Sequence, residues 1–84
     1  GFYSLMALGG SATWEGNTAL ARDAFRRAIT LRPDDVDAWL GRYEASDRDS
    51  GDADDRYAAQ RYLSLKPQGY PHTYRVSHIE AAVR

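Results

Sequence analysis

The chain contains one segment twice: LARDAFRRAITLRP at residues 20–33 and DDRYAAQRYLSLKP at residues 54–67. Matching residues of the two copies lie 34 positions apart, as in Arg22 and Arg56, Ala24 and Ala58, Arg27 and Arg61, Ile29 and Leu63, Leu31 and Leu65, and Pro33 and Pro67. A fixed period of this size is typical of repeat arrays, in which each unit buries its apolar face only by stacking on the next. The sequence therefore predicts two stacked units.

Length and composition are those of one small domain. The chain has 84 residues, of which 43% are apolar and 27% charged, and a domain of this size buries only about 60% of its unfolded surface. The absence of cysteine excludes disulfides, thiolate zinc sites and thiol nucleophiles, and it is compatible with the cytoplasmic location that we expect. The first ten residues lack a basic leader, so we expect a helix there rather than a signal peptide, and no run of apolar residues is long enough for a membrane span.

Charge is distributed unevenly along the chain. Residues 34–55 carry nine acidic residues and two arginines, which gives them a net charge of −7. The flanking residues 1–33 and 56–84 carry net charges of +2 and +4. An acidic middle attracts cationic partners and repels the phosphates of nucleic acids, so we expect no nucleic-acid binding.

Apolar spacing and turn signals predict five helices and no strand. The predicted helices are residues 2–15, 18–31, 35–46, 53–65 and about 70–83. Gly16 suits the left-handed position after the first helix, Asn17 can cap the second, and Asp34 or Asp35 can cap the third. The predicted buried residues of the first two helices are Leu5, Leu8, Ala12, Ala21, Ala24, Phe25, Ala28, Ile29 and Leu31.

This pattern resembles the tetratricopeptide repeat family. The residues that carry the resemblance in the first unit are Leu5, Leu8-Gly9, Ala21, Phe25, Ala28 and Pro33. In the second unit Trp39 and Pro67 match, whereas Arg42-Tyr43 replaces the family's Leu-Gly, which suggests different packing of the third helix. Ala59 and Tyr62 exchange the sizes of Phe25 and Ala28, a change that roughly conserves volume.

The resemblance implies an all-α fold of antiparallel helix-turn-helix units, stacked as a short right-handed α-solenoid. We expect one domain over residues 1–84, with unit one at 2–35, unit two at 36–69 and a capping or half-unit helix at 70–84. A narrower likeness covers residues 17–47, which are similar to the amino-terminal helical-repeat domain of the AAA-type ATPases of bacterial type VII secretion. The Arg-rich, Lys-poor composition also suits a high-GC bacterium.

In this family the first helix of each pair lines a concave groove that holds a peptide or a partner protein. The resemblance places these residues in the groove: Tyr3, Met6, Gly10, Thr13, Asp37, Leu40, Glu44, Asp47, Tyr74, Arg75 and His78. We add Trp14, which ends the first helix away from its apolar stripe and is expected to be exposed, while Trp39 is expected to pack in the core. The groove suits a segment with a hydrophobic anchor and basic residues.

The sequence supports other kinds of site less well than a partner-binding groove. The acids from Asp47 to Asp55 invite a calcium loop, but the required glycine and closing glutamate do not fall in frame, so we expect a solvated turn with helix-capping acids. His72 and His78 point to different sides of one helix and cannot share a metal unaided. Arg22, Arg26 and Arg27 form a basic patch that we expect to be solvated or paired with Asp23.

No constellation for nucleophilic or acid-base catalysis is evident, so we expect neither an enzyme nor a cofactor or metal. The leading hypothesis is a protein-interaction module that binds a peptide or partner surface. Two alternatives stay open. The first is that the chain is an accessory repeat domain of a larger enzyme, such as a secretion ATPase. The second is that it is a structural spacer that self-associates.

Overall fold

The computed structural model describes residues 1–45 and 53–67, and these residues form four helices. The helices are α1 (Phe2–Trp14), α2 (Thr18–Leu31), α3 (Val36–Glu44) and α4 (Ala53–Leu65). The all-α prediction is confirmed for these residues, since none of them forms a strand, and the predicted boundaries hold within two residues. The predicted fifth helix at residues 70–83 lies outside the described residues.

Local capping explains where α2 and α3 begin. The Asn17 side chain accepts a hydrogen bond from the backbone N–H of Leu20 at 3.2 Å, and that of Asp35 accepts one from the N–H of Ala38 at 3.0 Å. Such caps satisfy amides that have no partner within the helix, and each stabilises the structure by about 1 kcal/mol. Gly16 adopts a φ of +80°, so the predicted left-handed turn between α1 and α2 is confirmed.

Consecutive helices run antiparallel. The carboxyl end of α1 meets the amino end of α2, because Ala12 and Ala21 share one buried cluster. At the opposite end Phe2 packs with Ala28 of α2 and with Ala38 of α3, so α1 and α3 run side by side in the same direction. Helix α4 returns along α3 and contributes the buried Tyr62 to their shared cluster.

The core is built from small residues around one large ring. Alanines are buried at every helix contact, among them Ala12, Ala21, Ala24, Ala28, Ala38, Ala45, Ala58 and Ala59. The Phe25 ring lies between Gly9 of α1 and Gly41 of α3, and a Cβ built on Gly9 would come within 2.7 Å of it. A Cβ on Gly41 would collide with the same ring. Two glycines therefore allow α1 and α3 to approach Phe25 closely.

Helix α3 carries a leucine-glycine pair at Leu40-Gly41. The tetratricopeptide resemblance predicts such a pair two residues later along α3, where Arg42-Tyr43 stands. On α3 it is Gly41 that makes the close approach to Phe25. Arg42 contacts α4 instead, where it makes an ion pair with Asp55.

The prediction that Leu8 and Leu31 are buried is wrong. Leu8 is 44% exposed and Leu31 is 56% exposed. On α1 the buried positions are Phe2, Gly9 and Ala12, and Leu8 is turned about 100° away from Gly9 because each helical residue advances by that angle. Leu31 is the last residue of α2, where the chain leaves the helix bundle.

Trp39 occupies the packing position that was predicted for it. Its side chain is half-buried against the cluster formed by Ala59 and Tyr62, and its indole N–H donates a hydrogen bond to the carbonyl oxygen of Pro33 at 2.7 Å. Pro33 and Pro67 each follow the last residue of a helix, α2 or α4, by two positions. The 34-residue period thus places equivalent prolines just beyond equivalent helices.

The helices are short relative to a lipid bilayer. Within residues 1–45 and 53–67, no helix has both the length and the apolar character that crossing a membrane requires.

We expect Gly41→Ala to destabilise the protein by about 1–3 kcal/mol, because the added methyl group overpacks a buried ring that Gly9 confines from the other side. Gly10→Ala is the matched control: nothing lies within 4 Å of a Cβ built there, and alanine favours a helix over glycine by about 1 kcal/mol. Urea unfolding followed by circular dichroism measures both. Equal stability of the two variants would contradict the close approach at Phe25.

Candidate interaction surface

The groove residues predicted on α1 divide into an outer and an inner set. Tyr3, Gly10 and Trp14 are exposed, whereas Met6 and Thr13 are half-buried. Met6 packs against both clusters beneath α1, and the Thr13 hydroxyl donates to the carbonyl oxygen of Gly9 at 2.8 Å. The structure therefore leaves the outer set accessible and uses the inner set to support the helix.

Helix α1 is unusual because it carries no charged residue. Its sequence is FYSLMALGGSATW, so both its buried and its outward faces are neutral. Surface helices of globular proteins normally carry charged residues on the face that meets water, and a helix that lacks them usually has both sides covered. The outward face of α1 therefore resembles a contact surface more than a solvated one.

Tyr3 is exposed but held in place. Its ring is 72% exposed, and its hydroxyl oxygen accepts a hydrogen bond from the Arg32 guanidinium at 3.2 Å. The same guanidinium lies 4.9 Å from the Tyr3 ring centroid and 4.4 Å from that of Phe2, which is cation–π distance. Tyr3 also meets Phe2 edge to face at 5.3 Å. A ring fixed in this way loses little conformational entropy when a partner covers it.

Trp14 lies at the other end of the same face. It is 92% exposed, which confirms the expectation that it lies off the apolar stripe. Tryptophan is enriched among the residues that dominate binding energy in protein interfaces. The outward face of α1 thus has one large aromatic residue at each end.

The groove residues predicted on α3 form an acidic strip beside the α3–α4 contact. Asp37 is exposed, and Leu40 and Glu44 are half-buried. Leu40 packs against Tyr62 and Ala59 of α4, so it supports the helix pair rather than facing solvent freely. The helical period places Asp37 and Glu44 on one side of α3, and their charges act together on Tyr62.

The pKa of Tyr62 depends on this environment. Burial raises the pKa of its phenol above the ordinary value of 10.0, and the negative charges of Asp37 and Glu44 raise that pKa further. Both effects disfavour the phenolate. The charges of Asp37 and Glu44 therefore act on Tyr62 of the neighbouring helix α4.

Four of the predicted groove residues cannot be placed. Asp47, Tyr74, Arg75 and His78 lie outside the described residues, as does His72. Among residues 1–45 and 53–67, no group of three or more histidines, cysteines or acids converges as metal ligands would.

The prediction that Asp55 belongs to a solvated acidic turn is wrong. Asp55 is 5% exposed, and its Oδ1 accepts a hydrogen bond from the Arg42 guanidinium at 2.9 Å. The Arg22 guanidinium lies 3.5 Å from the same oxygen. One buried carboxylate therefore joins α2, α3 and α4. The sequence does contain a signal for this buried ion pair. Arg42 stands where the packing face of α3 would otherwise carry an apolar residue.

The arginine patch of α2 is mostly paired, as expected. Arg26 and Arg27 contact Asp23 at 2.9 and 3.2 Å, although Arg22 is half-buried rather than outside the core. Arg22, Arg26 and Arg42 line a cleft of about 530 Å³ with Trp39, Tyr57 and acidic residues. Asp23 and Asp54 also line the cleft and offset most of the positive charge of its three arginines.

Comparison of the chain with protein-family models, with curated proteins and with solved structures found no match.

We expect Asp55→Ala to destabilise the protein by about 3–5 kcal/mol, because it leaves the guanidinium of Arg42 buried without its carboxylate. The Arg42 side chain is only 11% exposed, so little of its guanidinium can be solvated once the carboxylate is lost. Asp54→Ala, at the exposed neighbouring residue, should cost less than about 1 kcal/mol. Chemical denaturation of both variants is the measurement, and similar losses in the two would argue against the buried pair.

We also expect stability to fall as pH rises above 10, because Tyr62 has a raised pKa in the folded state. Below pH 10 the phenol is protonated in both states and its contribution is fully present. Above that pH the unfolded chain loses the proton first, which favours unfolding. Tyr62→Phe should flatten this dependence in denaturation measured from pH 9 to pH 11, with Tyr57→Phe as the exposed control. An unchanged slope in Tyr62→Phe would contradict the assignment.

Proposed function

We propose that this protein is a non-enzymatic interaction module, which binds another polypeptide across the side formed by α1 and α3. One observation carries the proposal: α1 has no charge along its length and exposes Tyr3 and Trp14 on its outward face. Large exposed aromatic residues on an uncharged surface cost free energy in water, and they mark contact sites on many proteins.

The neighbouring α3 suggests the chemistry of the partner. Asp37 and Glu44 place negative charge on one side of α3, where lysine or arginine side chains of a partner are attracted. An aromatic or aliphatic anchor on α1 and basic residues along α3 describe a basic, apolar segment. The charges steer and orient this segment, while the apolar contact supplies most of the affinity.

The antiparallel helix pairs and the equivalent prolines favour a short α-solenoid of the tetratricopeptide type. In such a fold α1 and α3 are the first helices of their units, and they line one groove. The residues predicted from this resemblance at 70–84 would extend that groove. The likeness to secretion ATPases, the bacterial origin and the cytoplasmic location stay predictions from the sequence.

The test is a calorimetric titration with peptides of 10–15 residues that combine an aromatic or leucine anchor with two or three basic residues. We expect micromolar affinity, and we expect Trp14→Ala to weaken it about tenfold or more because a large aromatic anchor is lost. Trp14 is 92% exposed, so its removal should leave the fold intact.

Charge is tested separately. The double variant Asp37→Asn with Glu44→Gln should weaken peptide binding, and the weakening should diminish at high salt because added ions screen the attraction. Asp34→Asn with Asp54→Asn removes the same net charge elsewhere and is the matched control. Peptides that fail to bind, or that bind equally to wild type, Trp14→Ala and the acidic double variant, would refute the proposal.

A further inference from the structure

The cleft lined by α2, α3 and α4 has a polar end and an apolar end. Its volume is about 530 Å³, within the range of about 300–1,000 Å³ that is usual for small-molecule sites. Because α2 and α3 run antiparallel, Ile29, late in α2, lies toward the same end as Trp39, early in α3. At the other end Arg22, early in α2, and Arg42, late in α3, both contact Asp55 near the start of α4.

The apolar end is a corner formed by two aromatic rings. The Trp39 and Tyr57 rings meet edge to face, with their centroids 5.5 Å apart and their planes at 78°. The indole N–H of Trp39 donates a hydrogen bond to the carbonyl oxygen of Pro33 at 2.7 Å, which fixes the orientation of that ring. Tyr57 is 54% exposed. A third aromatic ring can pack here in the offset or edge-to-face arrangements that aromatic pairs prefer.

The polar end presents charges of both signs. Arg22 and Arg26, which lie one helical turn apart on α2, line the cleft, and Asp54 lines it from α4. Arg22 lies 3.5 Å from Asp55, the neighbour of Asp54, so charged groups of α2 and α4 come close together at this end. A guanidinium has several N–H donors and a carboxylate has several lone pairs, so side chains that are already paired can bind a further partner.

We propose that this cleft binds a free α-amino acid with an aromatic side chain. The carboxylate of the ligand pairs with Arg22 and Arg26, and its ammonium group pairs with Asp54. Its ring packs in the corner of Trp39 and Tyr57. This site goes beyond the proposed function, which concerns α1 and the other side of α3.

The mixed charges of the cleft select a zwitterion. A ligand with only a negative charge is attracted by the arginines but repelled by Asp23 and Asp54, and a ligand with only a positive charge meets three arginines. An α-amino acid carries both charges on one carbon atom, so each can face its opposite. Repulsion of the wrong ligands adds to specificity alongside attraction of the right one.

The cleft is separate from the proposed partner surface. Around α3, Glu44 is rotated by about 20° from Asp37, whereas Trp39 and Arg42 are rotated from it by about 140–200°. Trp39 and Arg42 therefore lie on the opposite side of α3 from the two acidic residues. Amino-acid binding and peptide binding can thus be measured independently.

The first test is an NMR titration of the isotope-labelled full chain with L-phenylalanine. The chain has two tryptophans, so the indole N–H of Trp39 reports on the cleft and that of Trp14, on α1, is an internal control. We expect the Trp39 signal to shift saturably, with a dissociation constant of about 0.1–1 mM as suits a small ligand in an open site. The Trp14 signal should not move.

Analogues of the ligand test the two charges. Hydrocinnamate is L-phenylalanine without its ammonium group, and phenethylamine is the same molecule without its carboxylate. Each should bind about tenfold more weakly or worse, because a charge-assisted hydrogen bond is lost and a like charge is left facing the remaining group.

Variants of exposed residues identify the groups that bind. Arg26 and Arg27 both pair with Asp23, but of these two arginines only Arg26 lines the cleft. Arg26→Gln should weaken L-phenylalanine binding severalfold, and Arg27→Gln, the matched control, should leave it unchanged. Asp54→Asn should weaken the binding of L-phenylalanine but not that of hydrocinnamate. Far-UV circular dichroism checks that each variant folds.

A Trp39 signal that stays in place up to roughly 20 mM L-phenylalanine, well above the expected dissociation constant, would overturn the inference. Hydrocinnamate or phenethylamine binding as tightly as L-phenylalanine would refute the selection of a zwitterion. Equal effects of Arg26→Gln and Arg27→Gln would place the ligand outside the cleft. None of these outcomes bears on the proposed function, which is judged by peptide binding and by the Trp14, Asp37 and Glu44 variants.

Discussion

The Phe25 ring holds the first three helices together. It projects from α2 into the space left by Gly9 on α1 and Gly41 on α3, and only residues without a side chain leave enough room there. The surrounding contacts are made by alanines, which bury little apolar surface each. Truncating a buried phenylalanine to alanine typically removes about 3–5 kcal/mol, a large share of the stability of a domain this small. The close approach of α1 and α3 therefore depends on one side chain.

Helix α4 is attached by different chemistry. Its buried aromatic residue is Tyr62, which occupies the position equivalent to Ala28, while Ala59 occupies that of Phe25. Large and small residues thus exchange places between the two units, and both exchanged residues are buried. The buried carboxylate of Asp55 adds a polar connection to α3. A buried ion pair contributes less to net stability than apolar packing does, but it penalises any arrangement that separates its partners.

The surface of α1 can be understood from the same core. Because Phe2, Gly9 and Ala12 meet the other helices, the side with Tyr3 and Trp14 must face outward. The structure supports Tyr3 with Arg32, so the exposed ring is already oriented for contact. In the proposed function, this uncharged helix, with exposed aromatic residues at both ends and small residues between them, contacts another polypeptide, and the acidic residues of α3 attract its basic residues. The two faces therefore offer different contact chemistries side by side.

The 34-residue period, the capping residues Asn17 and Asp35 and the turn at Gly16 were sufficient to predict four helices and their ends, since these features depend on local chemistry. The exposure of Trp14 also followed from its position in the helical period. Partners across helices depend on how the helices rotate and approach one another, which no local pattern specifies. That is why the buried state of Asp55 and the contact of Gly41 with Phe25 emerged only from packing in three dimensions.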